Sequence, residues 1–300
     1  MATSVASIRI AVGSRITRAS RPLAYLRRYP VIPLVILSAF VLMAILAPAL
    51  TPYSPTRTSL PEKNIPPFWQ SGGSLSHPLG TDPLGRDIWT RLVFGARVSL
   101  IVALSTLALG GALGGALGLI AGYYRGKLDA ILMRASDITI AFPIILFAIL
   151  LVVIIGPGLI NLIIAVGLVI WARYARVIRG EVLTLMTQDF IARARVAGAS
   201  DFRIITRHLF PNVVNTLVVL LTLQVGFLII VESSLSFLGA GVPPPTPAWG
   251  SMVASGRDYI TSAWWVSAIP GIAIMLIVIA FNMLGDWLRD RLDPKLRQLG

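Results

Sequence analysis

Long apolar runs alternate with short polar segments along most of the chain, and six of these runs approach the roughly 20 residues that a helix needs to cross a bilayer. They lie near residues 31–50, 98–122, 138–156, 158–172, 212–231 and 264–285. The pattern predicts an all-α membrane protein with six transmembrane helices. The intervals set out the rest: a basic tail over 1–30, the first span over 31–50, a Pro/Gly-rich segment over 51–95, a core over 96–287 holding five further spans, and a tail over 288–300. Inside the core, residues 173–211 form a charged island with seven arginines (Arg173, Arg176, Arg179, Arg193, Arg195, Arg203, Arg207) against Glu181, Asp189 and Asp201. Asp189 through Ala197 can run as one short helix and Gly198 can supply the turn. Ser200 and Asp201 can then cap a second helix, which Pro211 closes off from the next span. A membrane chain that keeps so polar a segment between spans presents it to a soluble partner, as a docking element and not as an active site.

Composition agrees with the pattern. Over 300 residues, 56% are hydrophobic, 13% are charged and mean hydropathy is +0.80, values that exclude an ordinary soluble domain. Cations fix the expected orientation, because Lys and Arg are retained on the cytoplasmic side. Six lie in the first 30 residues, three around Lys127, seven in 173–211 and four near the carboxyl end, against six elsewhere. Both termini and the 173–211 loop are therefore expected inside. A net charge of +13 would suggest nucleic acid in a soluble chain, but these cations follow the cytoplasmic rim, where topology and anionic lipid account for them. There are no cysteines, so disulfides and thiolate metal sites are excluded, and His77 and His208 are too far apart to predict a metal cluster. The basic start followed by Ala47-Pro48-Ala49 has the outline of a signal peptide. The apolar run is longer than a signal core, and an uncleaved first span fits better.

Two features bear on mechanism. Gly110, Gly114, Gly118 and Gly122 recur every fourth residue in the second span, leaving a face on which another backbone can pack closely. Ionisable residues are almost absent from the predicted spans. Asp137, Glu232 and Asp286 fall at span ends, where interfacial solvation is the expected state. That argues against an ion-coupled secondary transporter. No phosphate-binding G-x-x-x-x-G-K pattern accompanies Lys63, Lys127 or Lys295, and no paired acids or nucleophile–base set suggests an enzyme.

The 173–211 island resembles the EAA loop of bacterial ABC importer permeases, written E-A-A, three residues, G, nine residues, then I-x-L-P. Gly198 and Pro211 take the glycine and proline and Ala194 the second alanine. Ala192, Arg193, His208 and Phe210 depart from the pattern, Ala192 standing where the glutamate is usual. His77, Leu79, Gly80, Thr81, Asp82, Gly85, Arg86 and Asp87 are similar to H-x-L-G-T-D-x-x-G-R-D of the peptide and nickel branch. Further matches follow in SFLGAG, PPPTPAWGSM and NMLGDWLRDRLDP. The resemblance covers about residues 77–297 and is to the C-type (DppC/OppC-like) permeases. It implies the six-helix type I importer fold, a second B-type permease, two ATP-binding subunits and an extracytoplasmic solute-binding protein. It implies no cofactor on this chain, with ATP and Mg2+ held by the partner ATPases, and dipeptides or oligopeptides as cargo, with nickel chelate or glutathione as alternatives. On this reading Asp189, Phe190, Ala194, Gly198, Ala199, Ser200, Asp201, Phe202 and Pro211 form the ATPase contact. Phe190 and Phe202 would fill a groove on the ATPase, and no residue is singled out as a substrate ligand.

Overall fold

The computed structural model describes residues 30–292. Residues 1–29 and 293–300, and with them part of the charge argument and the end of the family-like carboxyl segment, lie outside those residues. The described chain is helical: α1 (Val31–Leu50), α2 (Ile88–Tyr124), α3 (Gly126–Ala141), α4 (Ile144–Ile155), α5 (Leu159–Leu185), α6 (Asp189–Val196), α7 (Asp201–Phe237), α8 (Trp249–Gly256) and α9 (Trp265–Leu292). Five of these helices are long and apolar enough to cross a membrane, or six if the bent pair α3 and α4 counts as one span.

Several helices overrun the apolar runs that announce them. At 37 residues, α2 is about 55 Å long, well beyond a hydrocarbon core of about 30 Å. The hydropathy of a segment marks only the part that lipid surrounds, whereas the helix continues wherever its polar ends find partners. For the same reason α5 does not stop at residue 172 but runs on through Arg173, Arg176 and Arg179 to Leu185. The expected span over 138–156 is instead broken. Pro143 has no N–H to continue α3 and disfavours helical geometry at Phe142, so α3 ends at Ala141 and α4 leaves at 101°.

The glycine stripe packs as the sequence implies. A Cβ on Gly114 would lie 2.4 Å from the Trp171 carbonyl oxygen, and one on Gly118 would lie 2.6 Å from that of Ala175, both on α5. Gly110 and Gly122 meet Ile170 and Val182 of the same helix, while Gly111 and Gly115 turn toward Leu221 and Leu217 of α7. Helix α2 is therefore the spine against which α5 and α7 both pack, at distances that only glycine permits.

The segment between α1 and α2 is a knot of turns anchored by buried charge. The Asp82 carboxylate accepts the Leu84 and Arg86 N–H groups at 2.9 Å each and the Arg86 Nε–H at 2.6 Å. Asp87 caps α2, accepting the Thr90 N–H and hydroxyl at 2.7 Å each, and also bonds His77 Nδ1 at 2.9 Å. Gly85 is required twice over, by a φ of +70° and because a Cβ would meet the Ser59 carbonyl oxygen at 1.8 Å. Two indoles clamp this end of the bundle: Trp249 Nε1–H donates to Leu92 O at 2.9 Å and Trp265 Nε1–H to Thr81 O at 3.1 Å. In the proline-rich stretch before α8 the chain turns at Pro244 and Pro245.

Glu232 also departs from expectation. It is not solvated at a span end but buried in the bundle at 1% exposure, on α7. Its carboxylate accepts the hydroxyls of Ser236 at 2.7 Å, Ser99 at 3.1 Å and Ser233 at 3.4 Å. Three hydroxyls replace the water that a buried carboxylate needs, and Ser99 ties α7 to α2. Asp137 pairs with Arg176, and Asp286 is exposed on α9.

Candidate coupling surface

At the end of the bundle opposite the knot, α6 and the start of α7 form a compact unit around Gly198. Helix α6 closes in a Schellman turn. The Ala199 N–H donates to Ala194 O and the Gly198 N–H to Arg195 O, both at 3.0 Å, with Gly198 at φ +77°. Gly198 thus supplies the turn expected of it, where another L-residue would cost about 1–2 kcal/mol, and Ala194 and Ala199 complete that turn through their backbone. Ser200 caps the next helix as anticipated, its hydroxyl accepting the Arg203 N–H at 3.4 Å.

Asp201 does something different from capping. Its carboxylate accepts the Tyr123 hydroxyl at 2.6 Å, joining the first turn of α7 to the last turn of α2. Pro211 departs from expectation as well. It does not separate a short helix from the next span, because α7 is continuous from Asp201 to Phe237. Its missing N–H is accommodated by a π-helical stretch over Ile204–Leu209, where the Phe210 N–H reaches back to Ile205 O. The wider turn relieves the clash that a proline ring makes with the preceding carbonyls in an α-helix.

A small apolar core fixes the unit to the bundle. Ile191, Ile204 and Leu209 are fully or almost fully buried against Ile178 and Val182 of α5 and Leu119 and Tyr123 of α2, with Ala199 packed at its edge. The opposite side is open. Phe202 is 77% exposed and Val196 91%, one on each side of Gly198, while Phe190 is partly turned toward the His208 ring at 6.5 Å. Asp189, Arg193, Arg195, Arg203 and Arg207 surround them in solvent. Six of the seven arginines therefore fall into two groups, Arg173 of α5 standing apart. Arg176 and Arg179 of α5 hold α3 through Asp137 and Asp129, the latter bidentate at 2.6 and 2.8 Å, and those on α6 and α7 remain on the exposed surface. The sequence reading missed Ile191, Ile204, Leu209 and Val196, although the apolar residues of 190–210 could have been assigned to two faces. Tyr123 carried no signal, being 78 residues from Asp201.

A helical bundle packed on a glycine spine, with a broken span and an apolar turn-and-helix surface at one end, has the architecture of a multi-pass membrane protein. The comparisons specify which. Residues 114–298 match the family model described as binding-protein-dependent transport system inner membrane component, and residues 28–67 match the N-terminal TM domain of oligopeptide transport permease C. The chain belongs to this family, in its DppC/OppC-like branch, and is a non-catalytic permease subunit of an ABC importer. It is 43% identical to the di/tripeptide transport system permease protein DppC of Pseudomonas aeruginosa, covering 86% of this chain and 85% of the relative. It is also 43% identical to the dipeptide transport system permease protein DppC of Escherichia coli (89% and 89%) and 44% identical to that of Alkalihalophilus pseudofirmus (89% and 86%). A solved structure of the MetNI methionine ABC transporter shares the fold at a TM-score of 0.52 and 19% identity, over 69% of this chain and 97% of that one.

Proposed function

We propose that this chain forms half of the pathway by which dipeptides or oligopeptides, delivered by a solute-binding protein, cross the cytoplasmic (inner) membrane. The other half belongs to a B-type permease, and two ATP-binding subunits, which hold ATP and Mg2+, dock on the surface around Gly198. Both termini then lie in the cytoplasm. The exposed Phe202 and Val196, held on a turn that is itself tied to α2 and α5, carry this reading. A surface so apolar and so firmly mounted suits a protein partner, and its attachment to α2 and α5 offers a route for motion into the spans. ATP binding closes the ATPase pair, and the unit over residues 187–211 passes that closure to the helices as a rigid lever.

Uptake of trialanine into proteoliposomes, using the chain assembled with its partner subunits and binding protein, tests this. ATP-dependent uptake is expected. Uptake of nickel chelate or glutathione in place of the peptide would reassign the cargo, and uptake driven by an ion gradient without ATP would overturn the mechanism.

A further inference from the structure

Arg173 sits on α5 about 21 Å from the Leu159 end and about 18 Å from the Leu185 end, at 1.5 Å per residue. It stands one residue past the apolar run over 158–172, and a cation bordering the lipid-facing part of a helix favours a cavity or a partner charge. One and two turns further along, Arg176 and Arg179 have Asp137 and Asp129. Among the described residues, no carboxylate lies within ion-pair distance of Arg173.

Arg173 instead borders a cavity of about 250 Å3, whose wall includes Tyr174, Thr139, Phe142, Gln224 and Phe227. The cavity opens where α3 breaks from α4, and non-helical backbone at membrane depth is retained where it lines such a space. The N-terminal turn of α4 adds Ile144 to the wall. Cation, amide, hydroxyl and aromatic faces thus meet at a broken helix, as in transport sites of other folds. The volume is below the range of about 300–1,000 Å3 usual for a whole ligand, which suits one end of a longer molecule.

We propose that this cavity transiently holds the C-terminal carboxylate of the peptide in transit, paired with the Arg173 guanidinium, while Gln224 and Thr139 bond the adjoining amide. The assignment rests on the peptide reading above. A guanidinium offers a carboxylate two parallel hydrogen bonds, whereas a neutral C-terminal amide can make only one acceptor contact and carries no charge.

Because the chain contains no cysteine, a single one at Thr139 reports on this cavity alone within the chain. In the permease–ATPase complex bearing Thr139→Cys, the rate of modification by a methanethiosulfonate reagent is followed from the mass of this chain. Millimolar trialanine is expected to slow modification several-fold, trialanine amide to have little effect, and Arg173→Gln to abolish the difference. Equal protection by the two peptides, or protection that survives Arg173→Gln, overturns the proposal. No protection by either also overturns it. If Arg173→Gln does not assemble, Arg173→Lys is expected to keep a weakened preference for the free acid, and equal protection in that variant is equally fatal. Trialanine uptake by the unmodified complex separates the two failures: without it the peptide reading falls, and with it only the carboxylate site does.

Discussion

Replacing Gly198 tests the coupling surface with little disturbance elsewhere. No atom lies within 4 Å of where a Cβ would be, so steric collision is not the issue, and the cost is that of holding an L-residue at φ +77°. That cost is about 1–2 kcal/mol for alanine and more for a β-branched residue. If the Schellman turn opens to relieve it, the Ala199-to-Ala194 and Gly198-to-Arg195 bonds are lost and Val196 and Phe202 no longer share one surface. A penalty of 1–2 kcal/mol corresponds to a roughly 5- to 30-fold fall in the ratio of intact to opened turn. Gly198→Ala should therefore reduce solute-stimulated ATP hydrolysis of the assembled complex by up to that factor, and Gly198→Val should abolish it. The six spans should insert normally and basal hydrolysis should persist. Asparagine tolerates this φ better than other side chains, so Gly198→Asn should retain more stimulation than Gly198→Ala. Normal stimulation in Gly198→Val, or equal loss in Asn and Val variants, would refute the reasoning.

Gly118→Leu forces side-chain carbon into the Ala175 backbone and the Ile178 side chain. It should destabilise the α2–α5 contact by about 1–3 kcal/mol, read as a lower melting temperature of the detergent-solubilised complex. Glu232→Ala leaves the Ser99 and Ser236 hydroxyls without their acceptor in the bundle, at about 1–3 kcal/mol. Glu232→Gln, which keeps an acceptor oxygen, should melt closer to the parent, and equal melting of all three would contradict the role assigned to the three serines. In the knot, a hydrogen bond from Ser59, aided by His77 and Arg57, holds the Glu62 carboxyl below its ordinary value of 4.5. Its stabilising contribution is thus full above that value and lost as pH falls through the lowered one. The melting difference between parent and Glu62→Gln should be constant above pH 4.5 and vanish in more acid solution.

What the sequence revealed followed from local chemistry. The glycine period in α2 marks a close-packed face however the bundle is arranged, and Gly198 with Ser200 specifies a turn and a cap within a few residues. The apolar runs found the spans because lipid selects on hydropathy alone. Features that depend on distant partners were not legible. Glu232 looks interfacial until Ser99, on another helix, is seen to bond it. Asp201 looks like a cap until Tyr123 is beside it. Arg173 reads as loop because charge ends a hydropathy window, although the helix continues to Leu185. Pro211 reads as a stop, and only the π-turn before it shows how the helix proceeds.

The most direct measurement is mild detergent purification of the tagged chain, expressed with its neighbouring genes, followed by mass identification of what accompanies it. A second permease and one or two ATP-binding subunits should copurify and should be lost when Phe202 and Val196 are both changed to Asp. A stable chain that transports solute alone, or a complex indifferent to those two changes, would contradict the assignment of this surface and the importer mechanism built on it.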